Sequence, residues 1–417
     1  MSADGQSGAQ PRMLLFQLSE LNPLMRSDPH AILDEQRSRA PVEHDDLFPA
    51  VCITAYGPAR DMLNDQSISR NFEHASPDNF VIAGVKRLNH AVEEEFGRHD
   101  SMLILEDPDH ARVRGIVAKL FLARASQSRP LIERVVEDAL AKLEGRESFD
   151  VVSEYACHIP INVLGPVLGC PTDQLEQLRL WTEAGQTAFD PTAGEQAAER
   201  AIAGRRGILS TFRALMEARR AEPRDDLVSD LLRAQAEGAE ISDGEILHNL
   251  FALLVAGHLT TADLIGNGVM LLLTHPESRE AIRKEPALIA PAIDEALRYE
   301  PPVTTTARFP SEDGAIGGCP YRAGDALSVS LLAANRDPDV FPDPHKFDVR
   351  RRPNPHLAFG AGSHMCVGAP LARVEGQIAI GRLLDRFPSL RLARPEAAPE
   401  WRAIAGIRGL TRLDVLS

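Results

Sequence analysis

Apolar residues recur at helical spacing through most of the chain. Segments 130–145, 193–221, 242–274 and 277–299 carry that spacing or dense helix formers. A run from Leu371 to Phe387 keeps the same period through Val374, Ile378, Leu383 and Leu384, and Pro388 ends it. The β-like pieces are short, at 50–54, 314–322 and 326–332, with glycine and proline between them. "PRDD" at 223–226 breaks two helical stretches, and no internal repeat or long linker divides the chain. The pattern predicts a mainly α protein with small β-sheets. It is expected to form a single domain over residues 1–417, with about the first 20 as a flexible tail.

Segment 242–274 is the longest element. Ser242 and Glu245 make an S-x-x-E capping box before the apolar run, and Pro276 closes it. At 1.5 Å per residue such a helix is about 50 Å long. Its centre, "FALLVAGHLTTADLIGNGVMLLL", is long enough to cross a bilayer. His258, Asp263 and Asn267 interrupt it, and a carboxylate at mid-membrane is costly. It reads instead as the buried helix of a large soluble core, with no membrane contact.

Composition supports a globular chain: 417 residues, 44% hydrophobic, suffice for a sizeable core. Acidic residues outnumber basic ones by 60 to 45, which argues against nucleic-acid binding through bulk charge. The start, "MSADGQSGAQPR", has no charged-then-apolar signal pattern, and the five cysteines are scattered without a CxxC. A cytoplasmic, reducing location is expected.

One cysteine stands apart. In "HLAFGAGSHMCVGAPLARVE" a glycine-rich turn delivers Cys366 to the start of the Leu371 helix. Unpaired N–H groups and the helix dipole favour a thiolate there. The glycines let the backbone approach a flat, bulky group. Four readings compete: a buried cysteine in a turn, a zinc site with His356 and His364, a phosphate loop, and a thiolate axial to haem iron. H-x-C is not an established zinc spacing, and the phosphate loop's G-K-[ST] ending is absent.

The stretch Phe359–Gly368, F-x-x-G-x-x-x-C-x-G, resembles the haem-binding signature of the cytochrome P-450 superfamily. Glu295-Ala296-Leu297-Arg298 is similar to its E-x-x-R helix, and Ala256-Gly257-His258-Leu259-Thr260-Thr261 to its oxygen-binding motif. Asp107-Pro108 with His110 and Arg114 resembles its D-P-x-H-x-x-x-R segment, and "AANRDPDVFPDPHKFD" precedes the cysteine as in bacterial members. The likeness runs from about residue 100 to the C-terminus, and more loosely upstream.

The resemblance implies haem b between the long central helix and the cysteine-ligand helix, with Cys366 as axial ligand to iron. It implies propionate contacts from His110, Arg114, Arg308 and His364, and haem contacts from Phe359 and Gly368. A local distortion at Ala256 and Gly257 would make room for O2, with Thr260 helping to deliver protons. Glu295 and Arg298 would form a structural ion pair, completed by Lys346 or Arg351. The family usually carries an acid before the threonine, but here Leu259 stands there, so Asp263 or a water chain is expected to carry protons instead.

The implied activity is a monooxygenase acting on a small organic substrate, as a monomer. Electrons would come from NAD(P)H through a ferredoxin reductase and a ferredoxin. Arg351, Arg352, His356 and Arg373 are candidates for a basic landing patch. The substrate pocket is expected from residues 72–104, Leu253, Ala256 and Val303–Thr306, with 170–192 and 400–407 contributing. A peroxide-driven enzyme and a haem-based binder without turnover are the alternatives.

Overall fold

The computed structural model describes residues 12–417 apart from 78, 99 and 187–193. In chain order the helices are α1 Leu14–Gln17, α2 Pro23–Ser27, α3 Pro29–Arg39, α4 Tyr56–Asn64, α5 Phe80–Phe96, α6 Asp109–Gln127, α7 Arg129–Ala141 and α8 His158–Leu168. There follow α9 Leu175–Gly185, α10 Glu195–Ala221, α11 Leu227–Ala236, α12 Asp243–Thr274, α13 Pro276–Lys284, α14 Ile289–Tyr299, α15 Leu331–Ala334 and α16 Ala369–Arg386. The strands are β1 Val42–His44, β2 Ala50–Ile53, β3 Ser148–Asp150, β4 Thr305–Arg308, β5 Gly314–Ile316, β6 Cys319–Tyr321, β7 Ala326–Ser330, β8 Arg391–Leu392 and β9 Asp414–Leu416.

The capping box forms as its residue types require. Glu245 N donates to Ser242 Oγ at 3.2 Å, and Ser242 N donates back to Glu245 Oε2 at 2.7 Å. From that cap α12 runs as the axis of the molecule, packed against α8, α9, α10, α14 and α16. It is long and apolar enough to cross a bilayer. Here Leu254, Leu264, Ile265 and Val269 are buried against protein instead. Small residues let neighbours approach closely: a Cβ on Gly268 would sit 2.5 Å from Ile380 Cδ1 of α16.

Two expectations need correction. Segment 277–299 is two helices, not one. Pro286 removes an N–H and pushes Glu285 out of the helical region (φ −135°, ψ 84°), so α13 stops at Lys284 and α14 restarts at Ile289. Residues 12–20, expected as part of a flexible tail, pack onto the fold instead. Leu14 is buried, Arg12 Nη2 donates to Gln36 Oε1 at 2.9 Å, and buried Glu20 accepts from Gly406 N at 2.7 Å. Residues 1–11 lie outside the described residues.

The β-like pieces build small sheets. One has the order β1-β2-β7-β4, with β2 and β7 parallel (Ala50 opposite Ala326) and the other pairs antiparallel. The others are β3-β9-β8 and the hairpin β5-β6. The main core draws on residues from Val92 to Val415, so α12 and α16 share one apolar interior.

Candidate active site

Cys366 sits in the turn that feeds α16. A short 3-10 turn, Gly362–His364, precedes it, and Cys366 N donates to Phe359 O at 2.9 Å. Gly362 is held at φ +71°, and a Cβ there would lie 2.5 Å from Leu63 O of α4. Glycine is therefore required at that position. The backbone N–H groups of Gly368 and Ala369 at the start of α16 favour the thiolate of Cys366. Burial pushes the thiol up, while those N–H groups, Arg114 and Arg70 pull it down. Cys366 shows surface, yet the protein around it desolvates it strongly, so that surface faces an interior cleft.

Cations converge on this cleft. His110 and Arg114 come from α6, Arg308 from the end of β4, and His364 from the turn itself. The rings of His110 and His364 lie 4.1 Å apart, centroid to centroid. His110 Nε2 and His364 Nδ1 are buried with no hydrogen-bond partner. Arg114 Nη2 donates to Met365 O at 2.5 Å. Arg308 is buried and donates only to Ala307 O at 3.0 Å. Burial, then neighbouring cations, press these groups towards neutrality: His364 to about 3 and Arg308 to about 9.

Sequence reading missed Arg70. It faces the same cluster, its closest charges are Cys366 and Arg114, and it has no ion pair among the described residues. No helical period or motif marks it in "NDQSISRNF". Arg70, Arg114 and Arg308 repel one another unless an anion completes the set, and the free imidazole nitrogens of His110 and His364 lie beside them. Haem, with its two propionates, fits that set, and the Cys366 sulfur at the start of α16 fits its iron.

On the other side of the cleft, α12 borders a cavity of about 650 Å³. Ala256, Leu259 and Thr260 are on its wall. α12 runs unbroken through Ala256 and Gly257, where a local distortion was expected, and Thr260 Oγ1 donates to Ala256 O at 2.7 Å. Gly257 is not on that wall: a Cβ there would lie 2.7 Å from Leu164 Cδ2, so it serves the packing of α12 on α8. His258 turns the same way, its ring nitrogens 2.8 Å from Thr182 Oγ1 and 3.1 Å from Cys157 O.

Asp263 is not brought to the cavity with Thr260. Three residues on, the helix has turned it towards the C-terminal loop, where it pairs with Arg402 beside Gly409. Its Oδ2 is buried without a partner. Leu253 is also off the wall, buried in the main core. The expected stretches 72–104, Val303–Thr306, 170–192 and 400–407 do contribute through Ile104, Val303, Trp181 and Ile407, with 187–192 outside the described residues. The roof formed by α10 was not foreseen.

Glu295 and Arg298 form the structural pair at full burial, with Nε to Oε2 and Nη2 to Oε1 both 2.8 Å. Arg351 Nε completes it at 3.2 Å from Oε1, while Lys346 offers only its carbonyl to Arg298. That use removes Arg351 from the landing patch. His356 is tied to Asp294 at 3.3 Å and Arg373 to the same carboxylate at 2.7 Å, leaving Arg352 exposed.

A helical fold that turns one cysteine at a helix start into a cleft lined by basic side chains is the arrangement that a haem-thiolate protein needs. The model of the family described as Cytochrome P450 matches residues 188–401. "Cytochrome P450 107B1" of Saccharopolyspora erythraea is 39% identical over 87% of this chain and 88% of its own length. "Cytochrome P450 monooxygenase PikC" of Streptomyces venezuelae is 35% identical over 98% and 96%. The crystal structure of myxobacterial cytochrome P450 CYP267B1 with myristic acid superposes with a TM-score of 0.86 at 34% identity, covering 96% of this chain and 98% of that one. The chain belongs to the cytochrome P450 family, and it is an oxidoreductase of that family's fold.

Proposed function

We propose that this protein is a haem-thiolate monooxygenase that inserts one atom of O2 into a C–H bond of a small, largely apolar organic substrate. The observation that carries the proposal is Cys366 at the start of α16, in a cleft where Arg70, Arg114 and Arg308 gather and His110 Nε2 and His364 Nδ1 are buried without a partner. Bound there, haem supplies the activation of dioxygen. Cys366 would hold the iron. Arg70, Arg114 and Arg308 would offset the charge of the propionates, His110 and His364 would offer them hydrogen bonds, and Phe359 and Gly368 would complete the cradle. The apolar wall orients the substrate and keeps water away from it.

Thr260 is the proton donor at the wall. Its hydroxyl rests on Ala256 O and needs only a rotation about χ1 to face the cavity. Asp263, engaged by Arg402 behind α12, supports the helix rather than the relay. Electrons come from NAD(P)H through a reductase and a ferredoxin that docks on the Cys366 side, where Arg352 remains exposed. The protein works as a monomer in the cytoplasm. Leu259, apolar where the family usually has an acid, favours a second reading in which hydrogen peroxide drives the same chemistry.

Isotopically heavy dioxygen separates the two. With a ferredoxin system, the product should carry one heavy oxygen atom, and Thr260→Ala should lower product formed per electron consumed. Label arriving only from heavy peroxide, with none from dioxygen, would overturn the monooxygenase reading.

A further inference from the structure

One cation on the cavity wall has no role in the site described above. Arg205 lies on α10, which roofs the cavity above α12. Its guanidinium stacks over the Phe251 ring, 4.4 Å from the centroid. Its Nε is buried with no hydrogen-bond partner. Other arginines facing outward around this helix find acids: Arg206 reaches Glu95 at 2.9 Å, and Arg213 reaches the same carboxylate at 3.6 Å. Arg205 finds none among the described residues, although Glu73 and Glu93 line the same cavity. Glu73 instead answers Arg98 at 3.5 Å and Lys86 at 4.0 Å.

Arg205 also differs from Arg70. Arg70 sits among the cations around Cys366 and is accounted for by the propionates. The only influence resolved on Arg205 is burial, which lowers it to about 10; no neighbouring charge, of either sign, contributes. Arg70, Arg98 and Arg205 all line this cavity; Arg70 belongs to the cluster around Cys366 and Arg98 meets Glu73, which leaves Arg205 as the cation with no such partner among the described residues, in a wall that includes Leu88, Ile104, Ile208, Val255, Leu259 and Val303. An unpaired guanidinium in such a place matches one planar monoanion through two parallel N–H···O bonds.

We propose that the cavity takes medium-chain carboxylates, with Arg205 holding the carboxylate and the chain running along α12 towards Thr260. This deepens the monooxygenase reading and rests on it. Phe251, under the guanidinium, and Thr260 are nine residues apart on α12, about 13 Å along the helix axis. A chain of roughly ten carbons bridges that axial distance. Oxidation therefore falls near the far end of a medium-length acid, away from its carboxyl group.

The test is calorimetric binding to the haem-loaded protein of dodecanoate, methyl dodecanoate, dodecanol and dodecyl phosphate. Wild type should bind dodecanoate roughly tenfold tighter than the uncharged analogues, as a charged hydrogen bond in an apolar site predicts. Arg205→Leu should erase that preference while dodecanol binding persists, and Arg205→Lys should keep part of it. Equal affinity for acid and ester in wild type, or an undiminished preference in Arg205→Leu, would overturn the proposal. Tighter binding of dodecyl phosphate than of dodecanoate would overturn the carboxylate assignment. None of these outcomes touches the carbonyl spectrum of the haem, so failure here is distinguishable from failure of the monooxygenase reading.

Discussion

Arg298 grips Glu295 with two hydrogen bonds of 2.8 Å in a site closed to solvent. The pair does not stand alone. Glu295 also accepts from Asp348 N at 2.9 Å, Arg351 Nε at 3.2 Å and Asn354 Nδ2 at 3.2 Å. Arg298 in turn donates to the carbonyls of Asn335, Pro344 and Lys346. One helix-borne ion pair thus gathers the chain that leads to Cys366.

Breaking that pair strands a buried charge. Glu295→Gln should cost on the order of 3–5 kcal/mol in denaturant unfolding of the haem-loaded protein. Arg351→Ala, which removes the charged hydrogen bond to Glu295 and those to the carbonyls of Pro342, Asp343 and Lys346, should cost at least about 1.5–3 kcal/mol. Lys346→Ala keeps the carbonyl that Arg298 uses and should stay within about 0.5 kcal/mol.

Arg70 separates cofactor binding from folding. If it exists to meet a propionate, Arg70→Leu should release haem about tenfold faster to an acceptor protein, the loss of one charged hydrogen bond. The haem-free form should be no less stable than wild type, because the substitution removes a buried cation that has no ion pair among the described residues. A variant that unfolds more easily without haem, yet retains haem normally, would place Arg70 in the scaffold.

Asp263 gives a pH signature. Burial raises its carboxyl to about 6, against the pull of Arg402. The folded state then binds the proton more tightly than the unfolded chain does. Its stabilising contribution is complete below the ordinary carboxylate value, declines between about pH 4 and 6, and is gone above that. Stability of wild type relative to Asp263→Asn should fall through this window, by about 2–3 kcal/mol at 1.36 kcal/mol per unit. Parallel stability-versus-pH curves for the two proteins would contradict the assignment.

Much of this was legible from local pattern. Ser242 and Glu245 announced the start of α12, and the glycines before Cys366 announced a backbone bend, because both signals lie within a few residues. The cations were legible only where a motif framed them. His110 and Arg114 share a helix face within a motif, but no motif frames Arg70, and Arg205 lies in a segment, 193–221, that reads only as helix. Their meaning depends on what faces them across the fold, and spacing carries no such information. Asp263 was misplaced for a related reason: an i, i+3 offset fixes a face of α12, not whether Thr260's cavity or Arg402 lies beyond it. The basic patch dissolved because Arg351 and His356 spend their charge on Glu295 and Asp294.

The most direct test is the absorption spectrum of the dithionite-reduced protein under carbon monoxide, for wild type and for Cys366→Ser. The account predicts the long-wavelength carbonyl band of thiolate-ligated haem in wild type and its loss in the variant. Retention of that band with serine at 366, or its absence from haem-loaded wild type, would contradict it.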